Sequence, residues 1–232
     1  MTNMVSKQEV YKNIKAVIFD IDGTIMDSIP RIVTCLQDAC KAYNLEIPEK
    51  HACRNVIGLS LPKAIKSLIP NESEEMVEKV TEHYRVNYTR LETEKPTQLF
   101  MHAVELFTAL KEKGYKIGIA TGKSRKGFER VLQKTRLGEF VDVAVTGDEV
   151  RSKPDQEMLL SIADKMLLPV KAILMVGDSV LDLEMAKRAR MYSVGVLTGV
   201  HDEETLNSAS PIAIYPSLAP FKEELFKLAI KN

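Results

Sequence analysis

Short apolar runs alternate with amphipathic stretches along most of this chain. Residues 15–19, KAVIF, form a β-branched and aromatic run that ends at an Asp-Gly turn signal, which is typical of a buried strand. Beyond Lys95 and Pro96, similar runs are separated by segments in which apolar residues recur at helical spacing. This pattern predicts strands at 115–120, 141–145, 172–176, 192–197 and 212–215, and helices at 102–113, from 124, and at 156–166, 180–189 and 218–229.

The segment from Ser28 to about Glu92 differs, because it contains no run typical of a strand. Apolar residues from Ile29 to Tyr43 recur at helical spacing, and residues 60–69 and 72–92 show the same periodicity. We therefore predict that this segment is entirely helical.

Alternating strands and helices predict a parallel sheet, because the right-handed crossover between parallel strands needs a helix to return the chain. We expect an α/β fold with a doubly wound, Rossmann-like parallel sheet in a three-layer α/β/α core. The first strand belongs to that sheet, so the helical segment is an insertion behind it. The predicted core comprises residues 10–27 and 93–232, and the predicted helical cap comprises residues 28–92.

Composition narrows the possible partners. The 232 residues include 32 Lys plus Arg and 32 Asp plus Glu, so no basic field favours nucleic acid or an anionic membrane. Cys35, Cys40 and Cys53 are odd in number and lack zinc-site spacing, which indicates reduced thiols. The polar N-terminus resembles no signal peptide, and no uncharged apolar run could span a bilayer. We predict a soluble cytoplasmic protein, either monomer or homodimer.

Polar side chains follow three of the predicted strands at the points where the strands end. Ligands of open parallel sheets bind beyond these carboxyl ends, so the residues concerned are candidates for a common site. Lys153 precedes Pro154, and proline suits the first position of a helix, so we expect Lys153 at a helix N-terminus near the same edge. The strand-end residues are Asp20 and Asp22, then Thr121, Gly122 and Lys123, and lastly Asp178 with Asp182 one helical turn further on.

Several carboxylates at one point repel one another unless a cation lies among them. Mg²⁺ prefers oxygen ligands, typically one or two carboxylates together with water and a phosphate oxygen. Asp20 and Asp178 are the candidate side-chain ligands, and a backbone carbonyl near Asp22 is a plausible third. The sequence therefore predicts a magnesium site at this edge.

A carboxylate beside such a metal can attack phosphorus and form an aspartyl-phosphate. Asp20 is the candidate nucleophile. Asp22 is the candidate acid that protonates the leaving oxygen and later accepts a proton from water. Thr121 and Lys153 are expected to hold the negative charge of the transferring group. The predicted reaction transfers a phosphoryl group to Asp20 and then to water.

The stretches DIDGT, ATGKS, KP and GDSVLD stand in the order of the four motifs of the haloacid dehalogenase superfamily. The chain resembles its phosphatases over nearly its whole length, especially the phosphoglycolate-phosphatase-like branch with a helical cap. This resemblance implies hydrolysis of a small phosphorylated metabolite, either phosphoglycolate-like or a sugar phosphate. The resemblance implies Asp20 as nucleophile, Asp22 as acid and base, Thr121 and Lys153 on the phosphate, and Asp178 on Mg²⁺.

Further roles follow from the resemblance alone. Asp182 matches the second acid of the fourth motif, which positions the motif lysine or metal-bound water. The cap stretch RNVIGLSLPKAI resembles the specificity loop of the family, and Gly122 and Lys123 are expected beside the substrate. Many relatives carry an arginine directly after the glycine-serine pair, where this chain has Leu-Pro-Lys. The cap residues implied in substrate binding are Arg54, Gly58, Ser60 and Lys63.

Other interpretations stay open at this stage. A sugar-phosphate mutase would use the same Asp20, and a phosphoacceptor signalling module would hold phosphoaspartate without turnover. A carbon-halogen hydrolase is disfavoured by Asp22, which dehalogenases generally lack. Structural roles are also open: Asp20 and Asp22 as turn residues, Lys153 as an exposed charge, and Ser124 or Asp178 as helix N-caps.

Overall fold

A six-stranded parallel sheet forms the centre of the protein. The computed structural model describes residues 6–229, so residues 230–232 of the predicted core lie outside the described residues. The strands have the order β3-β2-β1-β4-β5-β6, and every neighbouring pair is parallel. They are β1 (Ala16–Phe19), β2 (Lys116–Thr121), β3 (Val143–Thr146), β4 (Ile173–Gly177), β5 (Tyr192–Val196) and β6 (Ala213–Tyr215).

Eleven α-helices accompany these strands within residues 6–229. The helices predicted from apolar spacing are all present, whereas α1, α3 and α10 are short helices that the periodicity did not indicate. The helices are α1 (Lys7–Asn13), α2 (Ile29–Ala42), α3 (Lys50–Asn55), α4 (Leu61–Leu68), α5 (Glu74–Glu94), α6 (Ala103–Glu112), α7 (Arg125–Lys134), α8 (Glu157–Met166), α9 (Val180–Arg188), α10 (Glu203–Asn207) and α11 (Leu218–Ala229).

The sheet is buried on both faces, which explains why β1 is a continuous apolar run. Val17 and Phe19 pack with α1, α6 and α11 on one face, whereas Ala16 and Ile18 pack with α8 and α9 on the other. Because successive residues of a strand point to opposite faces, one strand contributes to both layers. The predicted doubly wound, three-layer α/β/α fold is confirmed.

The helices α2 to α5 form a separate helical insert, which we define as residues 29–94. Their apolar side chains form a hydrophobic cluster of their own, distinct from the two clusters that flank the sheet. The long helix α5 packs against α2 and α4. None of the helices in residues 6–229 combines the length and apolar character that crossing a bilayer requires.

Strand order determines where a site can form. The chain runs from β1 outward to β2 and β3, and then returns to β4 on the other side of β1. The strand order therefore reverses at β1, which is the position where ligands bind in open α/β sheets, beyond the carboxyl ends. Asp20 directly follows β1 at this point.

Candidate active site

Three buried carboxylates meet at the carboxyl end of the sheet. Asp20 follows β1, Asp178 follows β4, and Asp182 lies in the first turn of α9. One carboxylate oxygen of each lies within 4.8 Å of the others. The structure thus brings together the residues that follow β1 and β4, as the strand-end pattern predicts.

Lys153 lies among these carboxylates and is completely buried. Its Nζ is 2.7 Å from Asp20 Oδ1 and 2.7 Å from Asp182 Oδ1, and its side chain has 0% exposure. The exposed role that the sequence left open is therefore wrong. The expected helix start at Pro154 is also wrong, because α8 begins at Glu157 with Gln156 as its N-cap. Lys153 reaches the site from the loop that precedes this helix.

The carboxylate of Asp178 is held by two neighbouring loops. Thr24 Oγ1 donates to Asp178 Oδ1 at 2.6 Å, and the backbone N–H of Val200 donates to Oδ2 at 2.8 Å. Gly23 has a φ of +86°, and a Cβ atom there would lie 2.4 Å from Asp178 Oδ2. Glycine is therefore required beside this carboxylate, both for its backbone conformation and for space.

The crowding of charge shows in the pKa values of the cluster. Burial raises the pKa of Asp20 well above its ordinary value, and neighbouring carboxylates raise it further, although Lys153 opposes the shift. Burial and the Asp182 carboxylate raise the pKa of Asp178 to about 7. Burial lowers the pKa of Lys153, but the carboxylates of Asp182 and Asp20 outweigh it and hold that pKa above its ordinary value. One ammonium group does not balance three buried carboxylates.

This donor set fits a hard divalent cation. Carboxylate oxygens are the ligands that Mg²⁺ prefers, and a cation would offset both the burial and the repulsion that raise the pKa of Asp20 and Asp178. Lys153 already engages Asp20 and Asp182 through one oxygen each. Asp178 has no lysine or arginine contact of this kind among the described residues. It is therefore the carboxylate of the cluster whose charge is least compensated by protein cations.

Asp22 is not part of this three-carboxylate cluster and has partners of its own. Its Oδ1 lies 2.8 Å from Lys123 Nζ and accepts a hydrogen bond from Ser28 Oγ at 2.5 Å. Lys123 Nζ also lies 5.1 Å from the ring centre of Tyr88, which belongs to α5. The side chain of Asp22 therefore does not join the carboxylate cluster, and only its backbone is left for the metal role expected of this residue.

Thr121 and Gly122 lie where β2 ends, and the insert approaches the core closely there. Thr121 is fully buried, and its Oγ1 accepts a hydrogen bond from Lys123 N. A Cβ atom at Gly122 would lie 2.5 Å from the carbonyl oxygen of Leu59, so only glycine fits. Ser60 N donates to Ser152 Oγ at 2.8 Å, next to Lys153. Gly58, Ser60, Gly122 and Lys123 all line one cavity that reaches Asp22.

Two residues that the resemblance implied in substrate binding lie elsewhere. Arg54 Nη2 donates to the carbonyl oxygens of Gly199 and Val200, at 2.6 and 3.2 Å, and thereby contacts the loop that holds Asp178. Lys63 is exposed on α4 and does not line the cavity. The structure therefore does not bring Arg54 or Lys63 to the cavity, and each occupies a position that its sequence context did not indicate.

Helix capping accounts for two further positions. Ser124 is the N-cap of α7, as the sequence allowed, and its Oγ accepts from Gly127 N at 3.3 Å. The N-cap of α9 is Ser179 and not Asp178, whose carboxylate is thus left to the site. Ser179 Oγ also donates to Asp182 Oδ2 at 2.6 Å.

The chain is similar to known proteins that share its motif order and its sheet. The family model described as haloacid dehalogenase-like hydrolase matches residues 17–196, which is most of the chain. The chain belongs to the haloacid dehalogenase-like hydrolase family. Members of this family in other organisms are similar to it along most of their length.

A probable phosphatase, IndB, of Dickeya dadantii is 32% identical over 201 residues, covering 85% of this chain and 87% of that protein. The phosphoglycolate phosphatase of Escherichia coli K12 is 26% identical over 233 residues, covering 90% of this chain and 91% of that enzyme. The crystal structure of a hydrolase from Pseudomonas syringae superposes with a TM-score of 0.83 at 28% identity, covering 92% of this chain and 98% of that one. The family assignment therefore rests on sequence and structure together.

Some residues of this haloacid dehalogenase-like site were not singled out from the sequence. Thr24, which holds Asp178, lies within the DIDGT stretch itself. The loop of Gly199 and Val200 follows β5, so the rule that ligands bind beyond strand ends could have indicated it. Tyr88 is a different case, because the sequence leaves open whether it faces the cleft or solvent, and the structure places it in the cavity lining beside Lys123.

Proposed function

We propose that this protein is a Mg²⁺-dependent phosphatase that hydrolyses a small phosphorylated metabolite through an aspartyl-phosphate on Asp20. The observation that carries the proposal is the position of Asp20, at the reversal point of the sheet, 2.7 Å from a buried lysine and within a carboxylate cluster. The named phosphatases among the similar proteins support the same reaction class.

Asp20 and Asp178 would hold the metal, with a backbone carbonyl near Asp22. Bound there, Mg²⁺ would neutralise charge on the phosphoryl group and so make attack by an anionic carboxylate possible. Lys153 orients Asp20 through Oδ1, and Ser179 and Lys153 together fix Asp182. Asp182 is thus a positioning residue that keeps the lysine in place.

The first chemical step joins an oxygen of Asp20 to phosphorus and breaks the bond between phosphorus and the ester oxygen. Asp22 in its protonated form gives its proton to that leaving oxygen, and the alcohol departs. In the second step, water attacks phosphorus, Asp22 takes a proton from the water, and the bond to Asp20 breaks. Inorganic phosphate and free Asp20 result, and Thr121 and Lys153 hold negative charge in both steps.

We further propose that residues 28–92 act as a cap over a core of residues 10–27 and 93–232. The loop of residues 58–60 lies against the core at Gly122 and at Ser152, and Ser152 directly precedes Lys153 of the candidate site. A cap in this position would exclude water from the reacting groups and contact the leaving group.

The test is phosphate release from a panel of phosphorylated metabolites, measured with Mg²⁺ and again after addition of a chelator. The panel contains phosphoglycolate, sugar phosphates and nucleotides. We expect metal-dependent release from at least one compound. If no compound releases phosphate while mass spectrometry detects a phosphoryl group on Asp20, a mutase or a phosphoacceptor module replaces the phosphatase.

A further inference from the structure

A cavity of about 460 Å³ lies between the helical insert and the core, and one end of it reaches Asp22 and Lys123. Cavities of roughly 300–1,000 Å³ suit ligands of drug size. A phosphoryl group and a two-carbon acid would fill only a small part of such a volume. The size and chemistry of the leaving group therefore determine how the remaining volume of the cavity is filled.

One wall of this cavity is apolar. It comes from α2, from the loop between α3 and α4, and from α4, and it continues into the hydrophobic cluster of the insert. Tyr84 adds an aromatic ring to it and stacks on Tyr88 with 5.6 Å between ring centres. The aliphatic part of the apolar wall consists of Ile32, Leu36, Val56, Ile57 and Ala64.

The cations that line the cavity are already engaged by protein groups. This holds for every lysine and arginine in the described lining, although only Lys123 forms a buried pair with a carboxylate. Lys123 pairs with Asp22, and the other three contacts involve α5. They are Arg85 with Glu82, Arg130 with Thr89 Oγ1, and Lys134 with the carbonyl oxygen of Glu92.

We propose that the leaving group of the substrate carries an apolar portion of several carbons, which packs against the apolar wall. This inference rests on the proposed phosphatase function and names its substrate class. A small acid such as phosphoglycolate would leave water against the apolar side chains, whereas an apolar group would displace that water with a gain in free energy. The polar residues of the lining come mainly from α5 and α7, among them Thr89, Glu92 and Arg130.

The test uses n-alkyl phosphates from methyl to hexyl phosphate, together with phosphoglycolate. Their leaving alcohols differ little in acidity, so differences in kcat/KM report binding of the alkyl chain. We expect kcat/KM to rise by about fourfold for each methylene group buried, mainly through a lower KM.

A matched pair of variants localises the effect. Ala64→Leu places three further carbons in the cavity, from a position that is 5% exposed. We expect it to lower the ratio of kcat/KM for hexyl over methyl phosphate by at least about tenfold. Ala42→Leu makes the same change at the exposed end of α2 and should leave the ratio as in the wild type.

The outcomes separate the two proposals. A flat series, or phosphoglycolate as the best substrate, would overturn the apolar leaving group while the phosphatase stands. No release from any monoester would overturn the phosphatase. In that case, or if Ala64→Leu does not fold, the apolar leaving group is tested by the affinities of methyl- and hexylphosphonate for the wild-type protein, since binding needs no turnover. Equal affinities would contradict the inference, and tighter binding of hexylphosphonate would support it.

Discussion

Lys153 Nζ lies 2.7 Å from Asp20 Oδ1, and both side chains are almost completely buried. This contact leaves the carboxylate of Asp20 oriented by a fixed cation at the end of β1. Because an amide cannot attack phosphorus as a carboxylate does, Asp20→Asn should reduce phosphate release by at least about 10³-fold. Circular dichroism should show an unchanged fold, since the substitution preserves shape and removes a charge from a crowded cluster.

The exposed neighbour Asp27 provides the control for this experiment. Asp27→Asn makes the same chemical change seven residues further along and should keep wild-type activity. Phosphate release by Asp20→Asn at more than about a tenth of the wild-type rate would be incompatible with a nucleophilic Asp20.

Removal of the buried lysine should destabilise the protein. Lys153→Met leaves Asp20 and Asp182 buried without their cation, and breaking a buried pair in this way costs about 3–5 kcal/mol of unfolding free energy. Urea unfolding of the metal-free protein measures the change. Asp182→Asn in the same background should recover part of the loss, because one of the two unpaired carboxylates is then gone. If the changes in unfolding free energy caused by the two substitutions were strictly additive, Lys153 and Asp182 would not be directly coupled.

Divalent metal should stabilise the folded protein. Carboxylates that repel one another in the folded state gain a partner when the cation binds, whereas the unfolded chain does not bring them together. At a metal concentration 100-fold above Kd, the gain is about 2.7 kcal/mol, or roughly 5–10 °C in Tm. Thermal unfolding with Mg²⁺ and with a chelator measures it. Asp178→Asn should abolish the shift, and an undiminished shift would place the metal elsewhere.

Both the predictable and the unpredictable parts of this site have physical causes. The strand-end rule depends only on backbone topology, so Asp20, Thr121 and Asp178 could be placed from the periodicity of the chain. Arg54 could not, because its contact with the carbonyl oxygen of Gly199 joins positions 145 residues apart and depends on how the insert lies on the core. A sequence pattern contains no information on that docking.

Lys153 illustrates the same limit at shorter range. Its approach to the site was predicted correctly, but the reason given for it was wrong, because α8 begins at Glu157 and not at Pro154. Proline fixes its own backbone angle without deciding where the hydrogen-bonded helix starts. The short helices α1, α3 and α10 were missed for a related reason, since five to seven residues are too few to show a period.

Arg54 should affect metal binding more than substrate binding. It holds the carbonyl oxygens of Gly199 and Val200, and the N–H of Val200 holds Asp178 Oδ2. Arg54→Gln should therefore raise the Mg²⁺ concentration that gives half of the maximal Tm shift by about tenfold. Losses of metal affinity of this size are common when a group that supports a metal ligand is removed.

The exposed Arg90 on α5 serves as the control, because its hydrogen bonds within the described part of the chain go to Glu94 and Asn87 of its own helix. Arg90→Gln should leave the metal titration as in the wild type. If Arg54→Gln instead raises KM for the phosphorylated substrate with an unchanged metal titration, Arg54 binds the substrate, as the resemblance to the family implied.

The three cysteines report on the helical insert alone, since Cys35, Cys40 and Cys53 lie on α2 and α3. Burial raises the pKa of Cys35 to about 12 and that of Cys53 to about 11, so their thiols carry almost no thiolate at pH 8. We expect negligible labelling by a thiol reagent in the native protein.

In urea, all three cysteines should become reactive before the circular dichroism of the sheet is lost, because the insert has its own hydrophobic cluster and can open without the core. Labelling that coincides with global unfolding would mean that the insert and the core form one cooperative unit, and would contradict the proposed division into cap and core.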